Sequence, residues 1–315
     1  MVPAGPTGTL CHPMRIFLTG ATSLIGAAVA PALARAGHHV TAIVRPTGPV
    51  PARLRQQGID VLTGDLSDVS ANRSALEGYD VLIHCARDAS PHGPEIDRRV
   101  VDTCRDVFWR AGRGVMIYAS SAWVIGPTHG AVDESTAINP PEIERDRPVT
   151  ERAILESQGG GVRAIVVRPG LIYGGDSGIV SDMLRDAANG IVRVVGSGDN
   201  HWPLIYRDDL VDLFVRLVAH PEIAGVVHAT DGSDDTVNDL VEAMSSHVTH
   251  KPEVRHMSIA DARHRMGALA EALAMDQIVR SPKALAIGWT PSLTSASRNV
   301  PRLLEERRDQ VMGAG

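Results

Sequence analysis

A doubly wound parallel α/β sheet with a smaller C-terminal lobe is predicted by three observations. Short apolar runs alternate with helical stretches from Arg15 to Arg168, a glycine turn joins the first run to its helix, and the regular alternation lapses after Gly174. A chain of 315 residues with 43% hydrophobic content is long enough to build one large core and a second, smaller one.

The elements follow in order. Arg15 to Leu18 reads as the first strand, Thr19-Gly20-Ala21-Thr22-Ser23-Leu24-Ile25-Gly26 as a tight turn, and Ala27 to Ala36 as a helix stopped by Gly37. Val40 to Val44 supplies a second strand at the spacing of a βαβ unit. Val61 to Thr63 and Val81 to Cys85 read as short buried strands, Glu95 to Ala111 as a helix, and Val115 to Ala119 as a strand ending at Ser120-Ser121. Ala164 to Arg168 is the next strand, its Arg-Pro-Gly exit expected as a loop; helices are expected over Ile179 to Asn189 and Ile259 to Ala274. The sheet domain is therefore placed at residues 14–174, with some later segments returning to it, and most of the lobe at 175–315. Residues 1–13 carry Pro, Gly and Thr but no signal-peptide core, and read as a disordered N-terminal extension before Met14.

Composition narrows the function classes. A net charge of −6 with interspersed signs offers no basic stripe to nucleic acid. No apolar run approaches the roughly 20 residues that span a bilayer. Cys11, Cys85 and Cys104 are odd in number and have no metal-ligand spacing, so reduced thiols in the cytoplasm, without a metal, are expected. There are no internal repeats, and nothing in the chain encodes an oligomeric state.

The glycine turn points to a dinucleotide. Gly20 permits the sharp turn, backbone N–H groups at the helix start can hold a pyrophosphate, and Gly26 lets the helix approach the sheet. The candidate cofactor-binding residues here are Gly20, Thr22, Ser23, Leu24, Ile25 and Gly26. Ser23 stands where a central glycine usually sits, and its side chain either narrows the pyrophosphate approach or donates a hydrogen bond to it. The second strand ends at Arg45-Pro46 with no Asp or Glu before Asp60. An arginine there suits a 2′-phosphate, so NADPH is expected; NADH remains possible if Arg45 only covers the adenine or is solvated.

With Gly64-Asp65-Leu66, Asp80-Val81-Leu82-Ile83-His84-Cys85-Ala86, Ser120-Ser121-Ala122, Arg168-Pro169-Gly170-Leu171-Ile172-Tyr173-Gly174 and Asp208-Asp209-Leu210 added to this turn, the chain resembles the extended short-chain dehydrogenase/reductase family, the NAD(P)-dependent epimerase/dehydratase group, from about Met14 to about Trp289. The resemblance implies that Asp65 and Leu66 cap the adenine edge, though Gly-Asp-Leu-Ser is also ordinary turn chemistry. It implies that Cys85 and Ala86 line the ribose side, and that Pro169, Gly170, Leu171 and Ile172 pack along the nicotinamide. Ser121 takes the place of the catalytic serine, and Ser120 beside it is expected to be structural.

The family's Tyr-x-x-x-Lys helix, in which tyrosine transfers the proton and lysine lowers its pKa and holds the ribose, is absent. The tyrosines are Tyr79, Tyr118, Tyr173 and Tyr206 and the lysines Lys251 and Lys283, none of them between Ser121 and Arg168. Matching on a helix over Thr150 to Glu156, with Pro148 in its first turn, puts Ile143 at the tyrosine and Arg147 at the lysine. Arg147 is either a ribose-binding substitute or a solvated helix-start arginine, the second being preferred.

Positions that hold a diphosphate-binding arginine and an asparagine in nucleotide-sugar members fall on Trp202 and Leu171. That exchange favours a flat, hydrophobic substrate, with Trp123, Leu171, Met183, His201 and Trp202 as its wall and Met266 to Met275 near it. His84, His129 and His201 are possible acids, but a histidine with no identifiable partner more often serves packing or surface. The combined expectation is an NADPH-dependent ketoreductase acting on a polycyclic aromatic, polyketide-like ketone, in which a hydroxyl beside the carbonyl replaces part of the missing acid. A non-catalytic NADP(H)-sensing regulator is the first alternative and a nucleotide-sugar epimerase or dehydratase the second.

Overall fold

Buried β-branched and leucine residues recur along short segments and assemble, in the computed structural model, into a seven-stranded parallel sheet. The structure describes residues 12–45, 52–69, 73–88 and 90–313; apart from His12 and Pro13, the expectation for residues 1–13 falls outside them. The strands are β1 (Arg15–Thr19), β2 (His39–Val44), β3 (Asp60–Thr63), β4 (Val81–His84), β5 (Gly114–Ala119), β6 (Val162–Pro169) and β7 (Gly225–Ala229). Their order across the sheet is β7-β6-β5-β4-β1-β2-β3, so the direction of winding reverses between β1 and β4. Open α/β sheets bind ligands at such a reversal, beyond the carboxyl ends of the strands.

Helices cover both faces. Helix α1 (Gly26–Arg35) packs on one face with α4 (Arg207–Ala219), over a core that includes Leu18, Val29, Ile83, Ile117, Leu213, Phe214 and Trp289. Helices α2 (Gly93–Ala111) and α3 (Arg147–Leu155) pack on the other, over Phe17, Leu82, Met116, Tyr118 and Val166. The register aligns Thr19 with His84 and His84 with Tyr118, which sets the polar ends of neighbouring strands side by side.

The lobe has its own apolar centre, built by Val180, Leu184, Val194, Trp202, Leu240, Met244 and Leu273 around a parallel pair of strands, Ile191–Val195 and Glu253–Met257. The later segments that return to the sheet domain are β7, α4 and the Trp289 segment, whereas Ala131–Val132, from before residue 174, pairs with Ile278–Val279. Two expectations are corrected. Beyond Pro169 the chain re-forms as a strand, Leu171–Tyr173, paired with Leu204–Tyr206. The single helix over Ile259 to Ala274 is two, Ile259–Met266 and Leu269–Ala274, because Gly267 adopts a left-handed φ of 63° that stops the first. Among the described residues no helix is long and apolar enough to cross a membrane.

Candidate active site

The turn after β1 is built by contact rather than by sequence habit. Gly20 has φ 74°, and a Cβ there would lie 2.4 Å from the Ala86 nitrogen and 2.5 Å from the Cys85 carbonyl carbon. A Cβ on Gly26 would lie 2.2 Å from the Gly20 oxygen. Only glycines allow the turn, the exit of β4 and the start of α1 to come this close. Ser23 resolves its two alternatives locally: its Oγ accepts the Gly26 N–H at 3.1 Å, so the hydroxyl caps the turn and keeps its hydrogen free to donate. The N–H groups of Leu24 and Ile25 reach no acceptor among the described residues. Two free donors at a helix N-terminus fit a pyrophosphate.

Arg45 is exposed at the end of β2. Asp65 Oδ1 accepts from the Ser67 backbone and hydroxyl at 2.8 and 2.7 Å, and these bonds hold its carboxyl below the usual range; the turn chemistry is real. Cys85 is packed in the core, and burial pushes its thiol up to about 12, which leaves it unreactive; Ala86 keeps some exposed surface. Gly170 abuts Pro203, whose oxygen a Cβ would approach to 2.4 Å, and Leu171 N–H donates to that same oxygen at 2.6 Å. Leu171 and Ile172 are thereby held half-buried at the sheet edge.

Ser121 closes the turn after β5. Its Oγ accepts the Trp123 N–H at 3.2 Å and caps the short helical turn Ala122–Ile125, again leaving the hydroxyl hydrogen free. Ser120 behaves differently. Its hydroxyl donates to Glu151 Oε1 at 2.5 Å, and Arg168 grips the same carboxylate with Nε at 3.0 Å and Nη2 at 2.6 Å. All three are almost fully buried, and they lock α3 to the ends of β5 and β6.

At the start of α3 the preferred reading of Arg147 is overturned. The guanidinium is mostly buried: Nε donates to Glu144 Oε2 at 2.5 Å, and Nη1 to Tyr118 Oη at 3.2 Å and to the Ala119 carbonyl at 3.0 Å. Arg87, leaving β4, donates to the Ile143 carbonyl at 2.5 Å and sits 3.4 Å from Glu144. Where solvent was expected, a mostly buried Arg147 and a buried Glu144 are pinned to the last residues of β5, with the exposed Arg87 closing over the carboxylate from outside. Burial opposes the Arg147 charge, but Tyr118 and Glu144 beside it outweigh that and hold the guanidinium above its ordinary range.

The histidines separate clearly. His84 is fully buried, with Nδ1 2.6 Å from Thr19 Oγ1 and Nε2 3.3 Å from Asp97 Oδ1, and braces the ends of β1 and β4. His129 is exposed. His201 does have a partner that spacing did not reveal: Asp276 Oδ1 lies 2.8 Å from its Nδ1. The apolar wall divides too. Trp123 and Leu171 are half-buried against the lobe. Trp202 is core, with 6% exposure and its indole N–H donated to the Leu273 carbonyl at 2.9 Å, and Met183 is core at 8%.

The comparisons with known proteins agree with this geometry. The model of the "NAD dependent epimerase/dehydratase family" matches residues 16–228. An uncharacterized protein of Schizosaccharomyces pombe is 28% identical over 89% of this chain and 95% of its own length. The 2-alkyl-3-oxoalkanoate reductase of Stenotrophomonas maltophilia is 25% identical over 82% of this chain and 83% of its own. Among solved structures, human epimerase family protein SDR39U1 with NADPH superposes at a TM-score of 0.78 with 20% identity, covering 93% of this chain and 99% of that one. MoeE5 with UDP-glucose and NAD gives 0.77 with 19% identity, covering 94% and 99%. These last two likenesses establish the fold, a Rossmann-type sheet. A glycine turn that only glycine permits, two free N–H donors above it and a family match across the whole sheet domain lead to one conclusion: the chain belongs to the NAD dependent epimerase/dehydratase family.

Proposed function

We propose that this protein is an NADPH-dependent ketoreductase that reduces a ketone of a flat, polycyclic aromatic substrate without a catalytic tyrosine. The observation that carries the reading is that the glycine turn and a Ser121 hydroxyl free to donate occur together with an ion-paired Arg147, in a chain with no tyrosine or lysine between Ser121 and Arg168; the family alignment would put Ile143 at the tyrosine and Arg147 at the lysine. When bound, NADPH would supply hydride to the carbonyl carbon. The pyrophosphate would rest on the Leu24 and Ile25 N–H groups, the 2′-phosphate near Arg45, and the nicotinamide ribose near Arg147. Ser121 donates its free hydroxyl hydrogen to the carbonyl oxygen as negative charge grows there, a contribution of about 10²–10³ in rate. A phenol or enol hydroxyl beside the ketone supplies the rest, since its internal hydrogen bond polarises the carbonyl and is already in place. Half-buried Trp123 and Leu171 favour a flat apolar ring system over a sugar diphosphate. The name of the Stenotrophomonas relative, a reductase of 3-oxoalkanoates, supports ketone reduction as the reaction type.

The test is NADPH oxidation with a panel of quinone and polycyclic ketones, each with and without a hydroxyl next to the carbonyl. Turnover confined to the hydroxyl-bearing members is the expected result. The sealed state of Arg147 also suits a non-catalytic NADP(H) sensor, and tight NADPH binding with no turnover across the panel would establish that reading instead. Binding of a nucleoside diphosphate sugar, measured by calorimetry, would return the protein to epimerase or dehydratase chemistry.

A further inference from the structure

One segment of the lobe holds the turn that carries Ser121. Gln277, with 1% exposure, donates from Nε2 to the carbonyl oxygens of Ala122 at 3.2 Å and Gly126 at 2.7 Å. Two carbonyl acceptors at one nitrogen fix the orientation of the amide, because its oxygen has no hydrogen to give. That oxygen has no partner among the described residues. The neighbours of Gln277 grip the same turn through the backbone: Thr128 N–H donates to the Asp276 carbonyl at 2.9 Å, and Ile278 N–H donates to Thr128 Oγ1 at 3.0 Å. Behind them, Asp276 Oδ1 accepts the His201 backbone N–H at 2.7 Å, and Asn200 Nδ2 donates to the Leu273 and Met275 carbonyls at 3.0 and 3.1 Å. Residues 273–279 thus form a continuous strap from the core of the lobe to both ends of the Ala122–Ile125 turn.

We propose that Gln277 is a positioning residue: through Ala122 and Gly126 it sets where the Ser121 hydroxyl stands, and it ties that placement to the lobe that receives the substrate. The proposal rests on the reductase reading above. Ser121 caps the turn through Trp123 N–H, so any shift of Ala122 carries the hydroxyl with it. A donor misplaced by about an ångström costs on the order of 10²-fold in rate.

Three measurements on full-length protein test this. In Gln277→Met, which keeps the length and loses the donors, kcat should fall by about 10²-fold while NADPH affinity is unchanged. In a Ser121→Ala background the same substitution should cost nothing further, because both changes remove one hydroxyl's contribution. Hydrogen exchange at the Trp123, Gly126 and Thr128 amides should accelerate in Gln277→Met without cofactor or substrate present. Gln277→Asn, whose amide is one methylene short of the turn, gives the same readings if Gln277→Met does not fold. Unchanged kcat, additive losses with Ser121→Ala, or unchanged exchange at those amides would each overturn the proposal. If the wild-type protein reduces no ketone, the reductase reading fails, and the exchange measurement alone decides the role of Gln277.

Discussion

The glycine turn at Gly20–Gly26, after β1, and the segment Ile143–Arg147, which leads into α3 beside the end of β5, are held in place by different means. The turn works through backbone: it needs a left-handed residue at Gly20, no Cβ at Gly26 and two unpaired N–H groups, all of which are present. The start of α3 works through side chains, which can be exchanged while the helix stays where it is. Here they are an apolar Ile143 and an arginine bound to Glu144, Tyr118 and the Ala119 carbonyl. A turn fixed by steric exclusion tolerates less change than a segment fixed by side-chain hydrogen bonds. The helix itself is retained because Glu151, Ser120 and Arg168 anchor it from below, independently of what its first turn carries.

The comparison breaks most visibly at Gly26. Gly26→Ala should abolish measurable NADPH binding in a fluorescence titration, since the new Cβ meets a backbone oxygen that cannot step aside. Normal affinity in that variant would mean the turn is far more pliable than its contacts imply. Next is the anchor of α3: Glu151→Ala leaves the Arg168 charge buried and unpaired, and chemical denaturation should register a loss of about 3–5 kcal/mol. At the catalytic turn, Ser121→Ala should lower turnover by about 10²–10³ and leave a measurable residue, because the substrate hydroxyl still acts; complete loss would give Ser121 a larger part than a hydrogen-bond donor. Arg147→Met sharpens the contrast between the two regions. NADPH should bind more weakly while Arg147→Lys largely restores it, and equal affinity in all three forms would confine Arg147 to a structural task. The smallest effect is on pH. Burial, reinforced by Arg168, holds His228 down to about 4, whereas the unfolded chain protonates near 6.5. The unfolded state therefore takes up the proton first, and stability present above pH 6.5 is lost as pH falls toward 4. Asp231, raised to about 6 by burial, opposes this, destabilising the fold as pH rises from 3.8 through 6. Melting temperatures of His228→Phe should fall less than those of the wild type between pH 6.5 and 4; parallel curves would contradict a buried neutral imidazole.

Periodicity and glycine placement made most of the sheet legible. The first six strands lie within two residues of where apolar runs put them, because central strands buried on both faces have little compositional freedom; β3, expected to be buried, is instead a partly exposed edge strand. The Gly267 break was missed, since the flanking residues keep a helical pattern through it. At the site, local motifs located the glycine turn, whose Gly20 and Gly26 leave no room for a Cβ, and drew attention to Ser121. The burial of Arg147 was not legible, because Tyr118 and Ala119 lie on β5, almost thirty residues away, and no spacing rule joins them to Glu144 and Arg147.

The sequence by itself determined the parallel sheet and the dinucleotide turn, written in contiguous residues, and the absence of any tyrosine or lysine between Ser121 and Arg168, a plain matter of residue type. Only the tertiary structure decided that Trp202 is core, that His201 has Asp276 beside it, that Arg147 is sealed and that Gln277 reaches the Ser121 turn. Those outcomes depend on side chains more than 70 positions apart meeting, as His201 and Asp276 do, or on several short separations closing around one charge. Local propensity carries no information about either; packing of the lobe against the sheet supplies it.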